Sequence, residues 1–331
     1  MQDFRKRLAG PVVFCVVLLC LLMAASAVMS ALARTDTALV QNRNKSMVEL
    51  ENEPADTIDV LVIGDSESYT TISPMEIWDK EGIPFYVGGQ PGQKIQESYY
   101  MLKKALQTQK PKVVAIETNV MFRPQSVVCG IEETLAQTML YYFPVFRLHN
   151  SWKAWVAGKA KDSQMFYKGF VLRDIVDAYT GGSYMKKTTK TEQISRVTKF
   201  MMDQIVSLCR KNNIQLFLYS APSPKNYSFR KHNTIEAYAK KNGLKYLDLN
   251  LKIKELGIDW SEDSLDKGDH LNILGAVKVS DYLGRYLKKE YHLKSRKSEN
   301  TYRSWDKLLE QYQEAARNAE KQAKKKVKAG G

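Results

Sequence analysis

The sequence predicts a three-layer α/β/α domain built on a mostly parallel sheet and preceded by one transmembrane helix. Three observations carry that expectation. Residues Leu8 to Ala33 hold no charge over 26 positions. Five short, β-branched apolar runs follow, and helical periodicity fills the gaps between them. Strands that alternate with helices in this way pack as a parallel sheet covered on both faces.

At about 1.5 Å per residue the uncharged run spans roughly 39 Å, more than a hydrocarbon core of about 30 Å. Arg5, Lys6 and Arg7 precede it and a near-neutral stretch follows. The positive-inside rule then puts residues 1–7 in the cytoplasm, residues 8–33 in the membrane and everything after Arg34 outside. Ala31-Leu32-Ala33 has the form of a signal cleavage site, but the length of the run favours an uncleaved anchor. Both alternatives export the rest of the chain.

Residues 34–57 are polar, with a helical-looking Lys45 to Glu51, and read as a linker. Strands are expected at Ile58–Ile63, Pro84–Val87, Lys112–Glu117, Gln215–Tyr219 and Leu244–Leu249. Helices are expected at Ser73–Lys80, Ile95–Thr108, Glu192–Asn212, Asn233–Asn242 and Ile273–Lys289, giving a domain of residues 58–291. Between the third and fourth strands, residues 121–190 are too many for an ordinary connection. Their aromatic content reads as a mostly helical insertion over the carboxyl ends of the strands, where sites in open α/β sheets lie. Residues 292–331 read as a basic helical tail, with a weak apolar stripe through Trp305, Leu308, Leu309, Tyr312, Ala316, Ala319 and Ala323. A solvated helix is the expectation there, with a partner-binding or membrane-surface helix as the alternative.

Composition narrows the function. With 44% hydrophobic and 26% charged residues in 331, extensive disorder is excluded. The net charge is +14, but residues 292–331 hold 11 Lys/Arg and 5 Asp/Glu, so +6 of it lies in the tail. No zinc-finger spacing or basic recognition helix accompanies that charge, which argues against nucleic acid. Cys15, Cys20, Cys129 and Cys209 have no metal-ligand spacing, so no metal is expected. Cys129 and Cys209 read as buried thiols in preference to a disulfide.

The chemistry gathers at strand ends. Gly64-Asp65-Ser66 puts a hydroxyl in the first strand-to-helix turn, at the carboxyl edge of the sheet. The second strand ends in Gly88-Gly89-Gln90-Pro91-Gly92, whose glycines let backbone N–H groups approach an oxyanion. The third ends in Glu117-Thr118-Asn119, and Asp266-Lys-Gly-Asp269-His270-Leu-Asn272 opens the last helix of the domain. A serine, a histidine with a carboxylate, and amide donors together suit acyl transfer.

These blocks, in this order, resemble the SGNH/GDSL hydrolase superfamily from about Asp59 to Leu287. The resemblance implies a flavodoxin-like fold, with Ser66 as nucleophile and first oxyanion donor. It implies Gly92 and Asn119 as the other donors, His270 as general base, and no cofactor. Three positions depart from the pattern. Glu117-Thr-Asn119-Val replaces Gly-x-Asn-Asp, Val87 replaces an Asn, and Lys267 stands where the family places its acid. Asp266 and Asp269 both remain able to orient His270, with Asp266 favoured by a one-residue difference in loop length.

Phe143 to Trp152 and Asp269 to Gly275 look like segments of the membrane-anchored SGNH proteins of bacterial cell envelopes, similar to the D-alanyl transfer protein of teichoic acid synthesis. That likeness implies a serine esterase or O-acyltransferase acting on a cell-envelope polysaccharide or polymer, with a membrane-bound O-acyltransferase as partner. Hydrolysis and transfer both stay open, as does a non-catalytic role in binding a polymer or such an acyltransferase. His149 and Trp152 are the insertion's candidate substrate contacts, while His232 reads as solvated.

Overall fold

The computed structural model describes residues 2–158 and 164–330, with side chains described from 9 to 328. Residue 1 of the expected cytoplasmic segment and residues 159–163 of the insertion lie outside these. Helix α1 (Gln2–Thr35) contains a stretch, Ala9–Thr35, long and apolar enough to cross a membrane. Helix α2 (Asn42–Glu51) follows, and it revises the linker expectation. Its Met47, Val48 and Leu50 are buried, Ser46 Oγ donates to Gly89 O (2.9 Å), and Tyr86 Oη donates to Ser46 O (2.6 Å). An apolar face hidden by the many polar residues of this stretch docks the segment on the domain.

The α/β alternation then runs β1 (Val60–Ile63), α3 (Ser66–Thr71), α4 (Pro74–Glu81), β2 (Phe85–Val87), α5 (Ile95–Ala105) and β3 (Val113–Glu117). Helices α6 (Val127–Tyr142), α7 (Pro144–Leu148) and α8 (Ser151–Ala157) interrupt it. It resumes with α9 (Arg196–Lys211), β4 (Gln215–Ser220), α10 (Phe229–Asn242), β5 (Lys245–Asp248), α11 (Ile253–Leu256) and α12 (Ile273–Glu290), and α13 (Arg303–Gly330) closes the chain. The strands pair in the order β2-β1-β3-β4-β5, every pair parallel, with Val60 opposite Val113 and Val113 opposite Gln215. This is the flavodoxin-like order. Every residue of β1 and β3 is buried, which is why these strands read as continuous apolar runs. Leu61, Ile63, Val114 and Ile116 face α5 and α9, while Val60, Val62, Val113 and Ala115 face α4 and α12.

The tail differs from its expectation. Trp305, Tyr312, Ala316, Ala319 and Ala323 are buried with Trp78, Tyr167 and Phe170. Trp78 Nε1 donates to Asp306 Oδ1 (2.9 Å), and Trp78 and Trp305 rings lie 5.4 Å apart. The stripe is weak in hydrophobicity because three of its members are alanines, yet small side chains are what let α13 approach α4 closely.

The insertion divides in two. Among the described residues, only its first half is helical, as α6 to α8. The second half runs without helix across the carboxyl edge of the sheet, its backbone bonded to the loops it crosses. Val87 N–H donates to Lys168 O (2.9 Å), Val171 N–H to Tyr69 O (3.0 Å), Ile273 N–H to Arg173 O (2.8 Å) and Asp177 N–H to Ser264 O (3.0 Å). Those partners satisfy a backbone that forms no element of its own. Cys209 is a buried thiol as expected, but Cys129 stands exposed on α6.

Candidate active site

Ser66 begins α3, one residue beyond the turn that ends β1. Gly64 is required in that turn, since a Cβ there would lie 2.6 Å from Glu117 Cβ. Asp65 is fully buried and caps the helix, its Oδ1 accepting the Glu67 N–H (3.0 Å). Its other oxygen accepts from Asn119 Nδ2 (2.9 Å) and pairs with Arg123. Asp65 thus serves the turn, and through it the turn holds Asn119. The loop after β2 presses on α3 backbone-first. Gln90 N–H donates to Gly64 O (3.3 Å), and a Cβ on Gly89 would meet Ser68 Oγ at 2.5 Å. Gly92 lies on the exposed rim of this loop at φ +61°, a left-handed conformation suited to glycine. Among the described residues its N–H donates to no protein acceptor.

His270 arrives from the opposite side. A β-bridge between Ser264 and Leu271 closes its loop, and Lys267 (φ +60°) and Gly268 (φ +83°) turn it through left-handed conformations. That path brings Asp266 back under the histidine. Asp266 Oδ1 accepts the His270 backbone N–H (2.7 Å), and Oδ2 accepts from Nδ1 (2.7 Å). With Nδ1 donating, Nε2 is free to accept, and it lies 2.8 Å from Ser66 Oγ. Asp269 Oδ1 is 3.8 Å from Nδ1 and is instead 2.6 Å from Asn226 Nδ2, which donates to it. Of the two candidate acids, Asp266 holds the ring.

Protonation follows from these contacts. Burial disfavours a charged His270, but the Asp266 bond and the charges of Asp266, Asp269 and Asp65 outweigh it, raising the imidazole above its ordinary value. Burial also pushes Asp266 upward, and the bonds from the His270 ring and backbone N–H more than reverse this, holding it below the usual range. The pair is therefore an ionised carboxylate beneath a strengthened base.

Beneath the turn lies a second group of acids. Glu117 accepts from Asn119 N–H (2.9 Å), Ala221 N–H (3.3 Å) and the Tyr227 hydroxyl. Burial, and then the neighbouring Asp65 charge, push it up to about 8. Glu67 is raised well above its ordinary value by burial and by Glu117 and Asp65. Asn226 Nδ2 donates to both Glu67 and Asp269, tying the buried group to the histidine loop. Sequence reasoning did not single out Glu67, Arg123 or Asn226. Their one signal was position: beside the serine, in the turn after Asn119, and in the loop after the fourth strand. Glu67, Asp269 and His270 place ligand atoms within 4.8 Å of one another, but both nitrogens of His270 are engaged by Asp266 and Ser66.

His149 and Trp152 are not brought to this edge. His149 is exposed beside α7, its Nδ1 2.6 Å from Phe146 O, and Trp152 projects from α8 with 52% of its surface exposed. Both sit on the helical half of the insertion, whose α7 packs on α1. His232, expected to be solvated, is bonded to Asp248 through Nδ1 (2.9 Å) and packs against Phe229 and Tyr246.

No protein-family model matches the sequence, and no curated protein matches it significantly. Solved structures do. One is described as an acylhydrolase from Bacteroides fragilis, with 14% identity, covering 77% of this chain and 99% of that one at a TM-score of 0.39. A GDSL-like lipase from Bacteroides thetaiotaomicron matches with 12% identity over 76% of this chain and 97% of its own, also at 0.39. A protein described as lipolytic and of the G-D-S-L family, from Desulfitobacterium hafniense, has 16% identity over 68% and 97% at 0.38. The likeness is distant.

Proposed function

We propose that this chain is a membrane-tethered, extracytoplasmic serine enzyme of the SGNH type, an esterase or O-acyltransferase acting on acyl esters of a cell-envelope polymer. The observation that carries the reading is the unbroken hydrogen-bond chain from Asp266 through His270 to Ser66. His270 Nε2 takes the Ser66 proton as Oγ attacks the ester carbonyl, and Asp266 stabilises the imidazolium that forms. The developing oxyanion is received by the Ser66 and Gly92 N–H groups and by the second amide hydrogen of Asn119, whose first is held by Asp65. His270 returns the proton to the leaving oxygen, and water or a sugar hydroxyl, deprotonated in turn by His270, releases the acyl group. A membrane-bound O-acyltransferase would supply the donor if the reaction is transfer.

The test is to incubate the full chain in detergent with p-nitrophenyl acetate, with and without oligosaccharide acceptors. Activity as proposed means nitrophenolate release that Ser66→Ala abolishes. Release exceeding free acetate, with an acetylated saccharide appearing, identifies transfer; equal amounts identify hydrolysis. A folded chain that releases none contradicts the reading.

A further inference from the structure

Helix α6 is inside out. Its outward face carries Val128, Ile131, Leu135, Met139 and Tyr142, all more than half exposed and spaced by three or four residues along one stripe. Its inward side is small and polar. A Cβ on Gly130 would lie 2.7 Å from Val197, Gln137 is buried, Thr138 Oγ1 is 2.6 Å from Tyr100 Oη, and Glu133 pairs with Lys94. A helix that faces water does the reverse.

The neighbouring helices say where this face lies. α7 packs on the end of α1: Val145 N–H donates to Ser26 Oγ (3.3 Å), and Leu148 is buried with Ala33 beside Met29. At about 1.5 Å per residue, hydrocarbon about 30 Å thick that begins at Ala9 ends near Met29. The contact between α1 and α7 is therefore level with the boundary between acyl chains and headgroups. Amphipathic side chains of the kind that populate that boundary stand at the end of the stripe and on α8, which packs beside the end of α1. Trp152 is 52% exposed with Lys153 Nζ 6.0 Å from its ring, and Tyr142 is 58% exposed with Lys103 Nζ at 5.3 Å.

We propose that the outer face of α6, continued by α7 and α8, rests in the boundary of the bilayer leaflet from which α1 emerges, with lipid chains covering Val128, Ile131, Leu135 and Met139. The lysine and aromatic rim favours lipid over a second copy of this chain, since both groups have partners at headgroup level. The inference rests on α1 crossing the membrane. With two attachments instead of one, the domain is held at a set tilt over the leaflet.

The test uses the full chain reconstituted in phosphatidylcholine–phosphatidylglycerol vesicles, with Cys15, Cys20 and Cys129 changed to Ser and an environment-sensitive fluorophore on a single introduced thiol. Leu135→Cys reports on α6, Val17→Cys on α1, and Lys254→Cys on α11, in the opposite layer of the domain. Quenching by lipids with brominated acyl chains is read at each position, after circular dichroism has shown each labelled chain to be folded. The expected result is a blue-shifted Leu135 probe quenched nearly as strongly as the Val17 probe, with the Lys254 probe unaffected. If Val17 is quenched while Leu135 behaves like Lys254, the inference falls. A blue-shifted but unquenched Leu135 probe also overturns it and gives the face to a protein. An unquenched Val17 probe overturns the reading of α1 itself.

Discussion

Two groups of carboxylates flank Ser66, and they are held in opposite protonation states. Asp266, on the loop side, is half-open to solvent and grips a cationisable ring and a backbone N–H, so it stays ionised. Glu67 and Glu117, on the sheet side, are fully buried beside one another and beside Asp65, and both are pushed toward the neutral form. Sequence distance does not separate these roles, because the two acids adjacent to the serine in the chain, Asp65 and Glu67, both lie on the sheet side. Solvent access and the partner offered decide which acid serves the base and which supports the turn.

The strongest way to break this comparison is to remove the base. His270→Ala or Ser66→Ala is expected to lower ester turnover by about 10⁴–10⁶, read as initial rates with the fold checked by circular dichroism. Next comes the acid. Asp266→Asn should cost about 10³–10⁴, because the amide no longer enforces the tautomer in which Nε2 accepts. Asp269→Asn should cost less than about tenfold, since its oxygen holds Asn226 instead of the ring. Equal losses in the two variants would dissolve the distinction between them.

Asn119→Ala is expected to lower turnover by about 10²–10³ if its amide meets the oxyanion. The pH profile sharpens the contrast further. His270 must be neutral to accept the Ser66 proton, and its titration is raised above 6.5, so kcat/KM should climb with pH along a limb centred above 6.5. In Asp266→Asn that limb should move down.

The smallest effect is on stability. Glu117 titrates near 8 in the folded chain against 4.5 ordinarily, so the folded state retains its proton over that window. Its contribution is fully present below 4.5 and is lost as pH rises through about 8, which makes stability fall with pH. In Glu117→Gln the fall in Tm between these limits should be shallower, leaving the part due to the other groups raised on folding, Glu67, Glu49 and His270 among them.

Much of this was legible in the chain. β1 and β3 announced themselves because a strand buried on both faces has no polar alternation to blur it. Ser66 and His270 stood out because each falls at the end of an expected element, on one edge of the sheet. The acid was harder: spacing alone left Asp266 and Asp269 open, and the choice depends on Lys267 and Gly268 both adopting left-handed backbone. Arg123 and Asn226 act through contacts that no periodicity encodes. The helices show the same limit. α13 and α6 both carry apolar stripes, yet α13 buries its stripe on α4 while α6 turns its stripe outward. A pattern identifies an apolar face, and only the tertiary structure says what covers it. His149 and Trp152 drew attention as aromatic-rich insertion residues, but the insertion meets the site through Arg123, ahead of its helices, and through its irregular second half.

The most direct test of the central claim is fluorophosphonate labelling of the full chain in detergent, with the adduct mapped by mass spectrometry at several pH values. An activated Ser66 predicts one adduct, on Ser66, forming faster as pH rises through the titration of His270 and lost in His270→Ala. A folded chain that takes no label, or takes it elsewhere, would contradict the account.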